Sequence, residues 1–220
     1  MMNCIAPSPR VLIVPGLNDS GPGHWQSRLQ RQHRTARRVV QSDWQRPDLD
    51  RWAESIGETL AREPSGAWVA VAHSFGCLAL ARWLRLGGRG VQAALLVAPA
   101  DPLKFGVTHR LPGDALPIRS VLVASRTDPW MSYGTAEGWA RIWGSQLVDL
   151  GDAGHINIES GHGPWPLAAQ LVERQIQRLV GQRRLHSATH RDRPRVETAD
   201  HVPPDRSAHA PAGAWRPAGT

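Results

Sequence analysis

Cysteine is scarce in this chain: Cys4 and Cys77 are the only two among 220 residues. That excludes a disulfide-stapled scaffold. A bridge between the two is not expected either, because Cys77 falls in an apolar helical stretch and reads as a small core residue. No His, Cys or acidic cluster has metal-ligand spacing, so neither a metal nor another cofactor is expected. Lysine is scarcer still. Lys104 is the only one, and arginine carries nearly all of the formal charge of +7. From Gly181 onward seven arginines face four acidic residues, which puts +3 in that tail and +4 in the body. Such a balance attracts polyanions weakly and in a salt-dependent way; without aromatic interleaving or a recognisable module it does not make a nucleic-acid reader. Long apolar runs are missing too. No stretch approaches the roughly 20 apolar residues of a membrane span. The N-terminus lacks a charged n-region, and its apolar run at 11–14 is too short for a signal sequence. The expectation is a cytoplasmic protein with neither membrane nor nucleic acid as partner.

What is present suits one substantial core: 41% hydrophobic residues, ten of them tryptophan. Apolar runs read as strands at 10–14, 38–40, 67–72, 91–97, 121–124 and 146–149. Helical spacing falls between them, over 24–33, 48–62, 75–86 and 166–180. Continuous apolar strands alternating with helices imply an α/β domain with a parallel sheet covered on both faces. Its ligand site should lie outside the carboxyl ends of the strands. The 101–120 segment is short and rich in Pro and Gly, leaving no room for a large cap. The domain is expected to span 1–181. Over 182–220 the apolar periodicity lapses among Arg, His, Pro and Ala, which reads as a disordered, solvated basic tail.

The most informative stretch is Trp68-Val69-Ala70-Val71-Ala72-His73-Ser74-Phe75-Gly76-Cys77. A Val- and Ala-rich strand meets an apolar helix with Ser74 at the apex, flanked two residues away by Ala72 and Gly76. A tight strand–turn–helix of this kind lifts a serine hydroxyl above the sheet edge. It also aims the first amides of the helix at the same spot. Small flanking residues are needed because strand and helix converge there. Ser74 therefore reads as a nucleophile; the bland alternative is a serine capping an ordinary helix. His73 beside it reads as supporting structure.

Two further motifs follow in order. Ser125-Arg126-Thr127-Asp128-Pro129-Trp130 places Asp128 past the end of the fifth strand, with Pro129 suited to the first turn of a following helix. Asp128 is the expected acid, with helix N-capping as its bland alternative. Asp152 competes as the acid but lies so near His155 that it reads as a turn residue. Gly151-Asp152-Ala153-Gly154-His155-Ile156-Asn157 follows the last strand, where a general base would be placed. His155 is that base, and His162 is a weaker candidate. A Ser, Asp, His order permits a relay in which Asp128 orients His155 and His155 takes the Ser74 proton. The developing oxyanion would need two backbone donors. Phe75 supplies one. The loop after the first strand supplies the other, with Leu17 the candidate and Asn18 the alternative.

These segments resemble the small serine hydrolases of the retinoblastoma-binding protein 9 / YdeN type. The resemblance rests on Pro15-Gly16, Ser20-Gly21-Pro22-Gly23-His24-Trp25-Gln26, His73-Ser74-Phe75-Gly76, Asp128-Pro129, Gly154-His155-Ile156-Asn157 and the run from Glu159 to Pro166. It extends to about Val180. It implies a three-layer α/β-hydrolase sandwich with a mostly parallel sheet, and a triad of Ser74, Asp128 and His155. It also implies metal-independent cleavage of small esters or amides, often with apolar or aromatic groups. Trp130 is then a candidate wall of an aromatic substrate pocket as much as a packing residue; Trp25 and Trp165 share that candidacy but read more readily as packing. The alternative is a non-catalytic protein-binding module on the same scaffold, since some relatives are named for a protein partner; no particular partner is indicated.

Overall fold

The computed structural model describes residues 8–191. Six strands form one sheet: β1 (Arg10–Val14), β2 (Arg37–Arg38), β3 (Trp68–His73), β4 (Val91–Val97), β5 (Arg119–Ala124) and β6 (Gln146–Asp149). Every neighbouring pair is parallel, in the order β2-β1-β3-β4-β5-β6. The strand order reverses at β1, so the chain leaves β1 toward one edge and returns past it to β3. A crevice opens at such a reversal, beyond the strands' carboxyl ends.

Side-chain alternation along the strands divides the core in two. In β3, Trp68, Ala70 and Ala72 face the layer built by α2 (Leu49–Ala61), α3 (Phe75–Arg85) and α4 (Tyr133–Ile142). Val69 and Val71 face the opposite layer, built by α1 (Trp25–Gln32) and α5 (Pro166–Arg191). All six residues of β3 are buried, which accounts for its unbroken apolar run from Trp68 to Ala72. Between β4 and β5 the chain adds only loops and the short 3₁₀ turn Thr108–Arg110, and among the described residues no cap domain covers the strand ends.

Three elements depart from the sequence reading. β2 keeps only Arg37 and Arg38 in the ladder, although the Val39 amide still donates to the Ile13 carbonyl at 2.9 Å. Val39 is buried and Val40 is 64% exposed, as befits the end of an edge strand. Pro129 does not open a helix; α4 starts at Tyr133, capped by the Ser132 hydroxyl, which accepts from the Thr135 amide. Helix α5 runs past the boundary expected at Gly181 and ends at Arg191. The rest of the expected tail, 192–220, and Cys4 lie outside the described residues. Cys77 is a free, fully buried thiol whose ionisation burial opposes.

Candidate active site

Ser74 sits between β3 and α3 at φ 53° and ψ −126°, a conformation disfavoured for any residue with a Cβ. Its side chain makes no capping bond to α3, so helix capping does not explain it. The crowding around it is real. A Cβ on Gly76 would lie 2.3 Å from the Pro15 carbonyl oxygen, and one on Gly16 would lie 2.7 Å from Ser74 Cβ. The β1 loop and the elbow are thus in direct contact.

Ser74 Oγ lies 2.9 Å from His155 Nε2. On the far side of the ring, His155 Nδ1 lies 2.9 and 3.0 Å from the two carboxylate oxygens of Asp128. A carboxylate at Nδ1 requires the proton there, so Nε2 is bare and accepts from the serine hydroxyl. The Asp128 side chain is only 4% exposed, and its Oδ1 also accepts from the Trp130 amide at 2.9 Å. That closes a local turn in place of a helix cap. Asp152, the competing acid, is exposed and faces solvent. His162 packs on the Trp165 ring, 5.7 Å between centroids, and does not line the cleft.

Two amides near Ser74 are left without an acceptor. Phe75 N–H is the first of α3 and has no acceptor among the described residues; the Leu17 amide has none either. The Asn18 amide is already committed to the Trp44 carbonyl at 3.0 Å, which removes it as the alternative donor.

Above Ser74 and His155 opens a cleft of about 340 Å³. Leu17, Phe105, Trp130 and Ile158 give it apolar walls; Asn18, Asp19, Asn157 and Glu159 give it polar ones. Trp130 is 47% exposed, with its ring centroid 6.1 Å from that of His155. The lone lysine stands at this rim: Lys104 Nζ donates to the Pro129 carbonyl at 3.0 Å and lies 5.9 Å from the Trp130 ring. Trp25 and Trp165 do not line the cleft. Trp25 is buried and packs edge-on against Trp165, 5.1 Å between centroids, so both are packing residues.

Beneath the cleft His24 and His73 are neutral. The Gln26 amide donates to His24 Nδ1 at 3.1 Å, which puts that ring's proton on Nε2, a buried atom with no partner. Burial first, and then the Arg38 charge, push His24 down to about 4, against a smaller opposing pull from Asp19. Burial also holds His73 well below the ordinary histidine value, and a positive charge on His155 or His24 would oppose its protonation further. Among the described residues, no group of His, Cys, Asp or Glu side chains is arranged to hold a metal ion, and no helix is long and apolar enough to cross a membrane.

A family model described as serine hydrolase matches residues 11–174, most of the chain. The chain belongs to the serine hydrolase family. Among solved structures, this hydrolase is similar to a YdeN-like hydrolase from Pectobacterium atrosepticum. The two are 37% identical with a TM-score of 0.74, over 79% of this chain and 92% of that one. The ydeN gene product of B. subtilis superposes with a TM-score of 0.64 at 18% identity, over 76% of this chain and 97% of that one. Est1E from Butyrivibrio proteoclasticus shares the fold, with a TM-score of 0.62 at 13% identity, over 81% of this chain and 92% of that one. No curated protein matches the sequence. The architecture is that of a YdeN-type α/β-hydrolase.

Several residues of this hydrolase's site had no assigned role in the sequence reading. Ser125 Oγ accepts from the Ala153 amide at 2.9 Å and donates to the Gly151 carbonyl at 3.2 Å. Thr127 Oγ1 accepts from the Gly154 amide at 3.1 Å. The segment carrying Asp128 is thereby tied to the one carrying His155. A small hydroxyl residue at the end of a strand signals a turn, but its partner across the fold is invisible in sequence. Phe105 and Ile158 line the cleft from loops with no pattern to mark them, and Glu159, although it opens a recognisable run, had no role assigned to it.

Proposed function

We propose that this serine hydrolase cleaves a small ester or amide through an acyl-enzyme on Ser74. Ser74 Oγ attacks the substrate carbonyl carbon as its proton passes to His155 Nε2. Asp128 keeps the other ring proton on Nδ1 and stabilises the imidazolium that forms. The tetrahedral oxyanion faces the Leu17 and Phe75 amides. His155 then gives its proton to the leaving alcohol or amine as the bond to the acyl carbon breaks. Water attacks the acyl-enzyme, yields a proton to His155, and the acid departs as Ser74 Oγ is reprotonated. The observation that carries this reading is the continuous line from Ser74 Oγ to His155 Nε2, 2.9 Å, and from His155 Nδ1 to Asp128 Oδ1, 2.9 Å. The apolar walls of the cleft favour substrates with an aliphatic or aromatic group, with Trp130 as the exposed ring that meets it. A purely binding role would not require Ser74 to be held in strained backbone geometry.

Wild-type protein should hydrolyse p-nitrophenyl esters and label with a fluorophosphonate probe. Ser74→Ala should fold normally, fail to label and lose about a thousandfold or more in kcat, because the covalent route is gone. A folded Ser74→Ala protein with near wild-type activity would refute the assignment. The same panel extended to amino-acid amides separates ester from amide preference.

A further inference from the structure

The histidine of the relay is carried by a loop whose backbone takes positive φ on both sides of it. Ile156, the residue after His155, sits at φ 50°, where a β-branched side chain is a clear outlier. Gly154 on the other side has φ 56°, and a Cβ there would lie 2.6 Å from Ser160 Cβ. A backbone in this state persists only where its surroundings over-determine it. Two ring N–H groups from distant parts of the chain do so here. His73 Nε2 donates to the His155 carbonyl at 3.0 Å, and Trp25 Nε1 donates to the Ile156 carbonyl at 2.8 Å.

We propose that His73 and Trp25 are positioning residues, a two-point clamp on the His155 and Ile156 carbonyls that sets His155 Nε2 against Ser74 Oγ. The proposal rests on the acyl-transfer reading of Ser74, His155 and Asp128. Each donor is itself anchored. His73 directly precedes Ser74, so its bond refers the base to the nucleophile's own backbone. Its ring, held neutral by burial, carries the proton on Nε2, as the carbonyl requires. Trp25 opens α1, and the next residue, Gln26, donates its side-chain amide to the Val14 carbonyl at 3.2 Å and the Val71 carbonyl at 2.9 Å. The Ser20 hydroxyl bonds to the Gln26 side chain in turn. A fully buried glutamine thus bolts α1 across β1 and β3, and Trp25 transmits that position to the base loop. The neighbouring Trp25 and Gln26 supply no group to the bond-making steps, yet the clamp gives both of their side chains a task. Released from it, Ile156 would relax toward negative φ and carry His155 with it. A displacement of about 1 Å at a reacting group costs on the order of a hundredfold in rate.

The test is steady-state hydrolysis of a p-nitrophenyl ester by His73→Phe, His73→Gln and Trp25→Phe, each checked for folding by circular dichroism. His73→Phe keeps a ring and loses the donor, whereas His73→Gln restores an amide N–H near the Nε2 position. His73→Phe and Trp25→Phe should lower kcat roughly ten- to a hundredfold with KM within about twofold, and His73→Gln should regain most of the loss. The clamp is overturned if folded His73→Phe keeps kcat within about twofold of wild type, if the loss falls on KM, or if His73→Gln is no better than His73→Phe. Should Trp25→Phe fail to fold, the His73 pair decides alone. Ser74→Ala in the same series keeps the two ideas apart. Activity in that variant sinks the acyl-transfer reading, and the clamp with it. An inactive Ser74→Ala beside fully active clamp variants sinks the clamp alone.

Discussion

At the scale of single residues, Ser74 is held at a cost. Its φ of 53° and ψ of −126° suit glycine far better than serine. Gly16 and Gly76 press the β1 loop against it and leave it no room to relax. Alanine and glycine both lack the hydroxyl, so comparing them isolates the backbone. At an ordinary position glycine is the less stable of the two by about 0.5–1 kcal/mol. At position 74 the order should reverse, with Ser74→Gly more stable than Ser74→Ala by about 1 kcal/mol or more in urea unfolding. If Ser74→Ala proves the more stable, the elbow is not where the strain resides.

At the scale of elements, Asp128 and His155 sit on separate segments after β5 and β6, and Ser125 joins them. Ser125→Ala would strip the Ala153 amide of its acceptor, whereas the Gly151 carbonyl would keep the Arg126 amide as a donor. An unpaired buried polar group costs about 1–3 kcal/mol. A drop of that size should appear in urea unfolding, together with a lower kcat, as Asp128 and His155 lose their common reference. Unchanged stability and kcat would show that the junction is redundant.

The same elements show what a sequence can disclose. β4 and β6 were readable to the residue because apolar runs between turn residues leave little choice. β2 was overread: Val39 and Val40 look like strand, but at a sheet edge only Arg37 and Arg38 find ladder partners. The end of α5 was underread, because apolar periodicity lapses near Val180 while the Gln, Arg and Leu that follow are good helix formers. That Ser74, Asp128 and His155 would come together was legible because each terminates or follows a strand on the same side of the sheet. The clamp was not, because its acceptors are backbone carbonyls and leave no side-chain pattern. The role of Trp25 illustrates the point. An aromatic near a site suggests a substrate wall, and only the fold shows its indole N–H turned to Ile156.

At the scale of the whole molecule, the fold buries neutral histidines and is therefore exposed to acid. His24 is pushed down to about 4 by burial and by Arg38, against an unfolded value near 6.5. Above pH 6.5 neither state binds the proton. Between about 6.5 and 4 the unfolded chain binds it and the folded chain does not, so stability falls as pH falls through that window. For His24 alone the loss amounts to roughly 3 kcal/mol, and the buried His73 adds to it in the same direction. His24→Asn keeps a good N-cap residue and removes the titrating ring. Urea midpoints measured from pH 7 to 4 should fall less steeply for this variant than for wild type. Parallel profiles would mean that other groups govern acid unfolding.

The single lysine has a practical meaning at this scale. Lys104 is exposed, and its ammonium stands at the cleft mouth beside Trp130 and the Pro129 carbonyl. In most proteins an amine-directed dye scatters over many lysines. Here the only side-chain amine lies at the mouth of the cleft proposed to take the substrate. The chain thus carries a built-in attachment point for a fluorophore. An environment-sensitive dye on that amine, beside the Trp130 ring, would report the arrival and departure of ligands in real time, without introducing a cysteine.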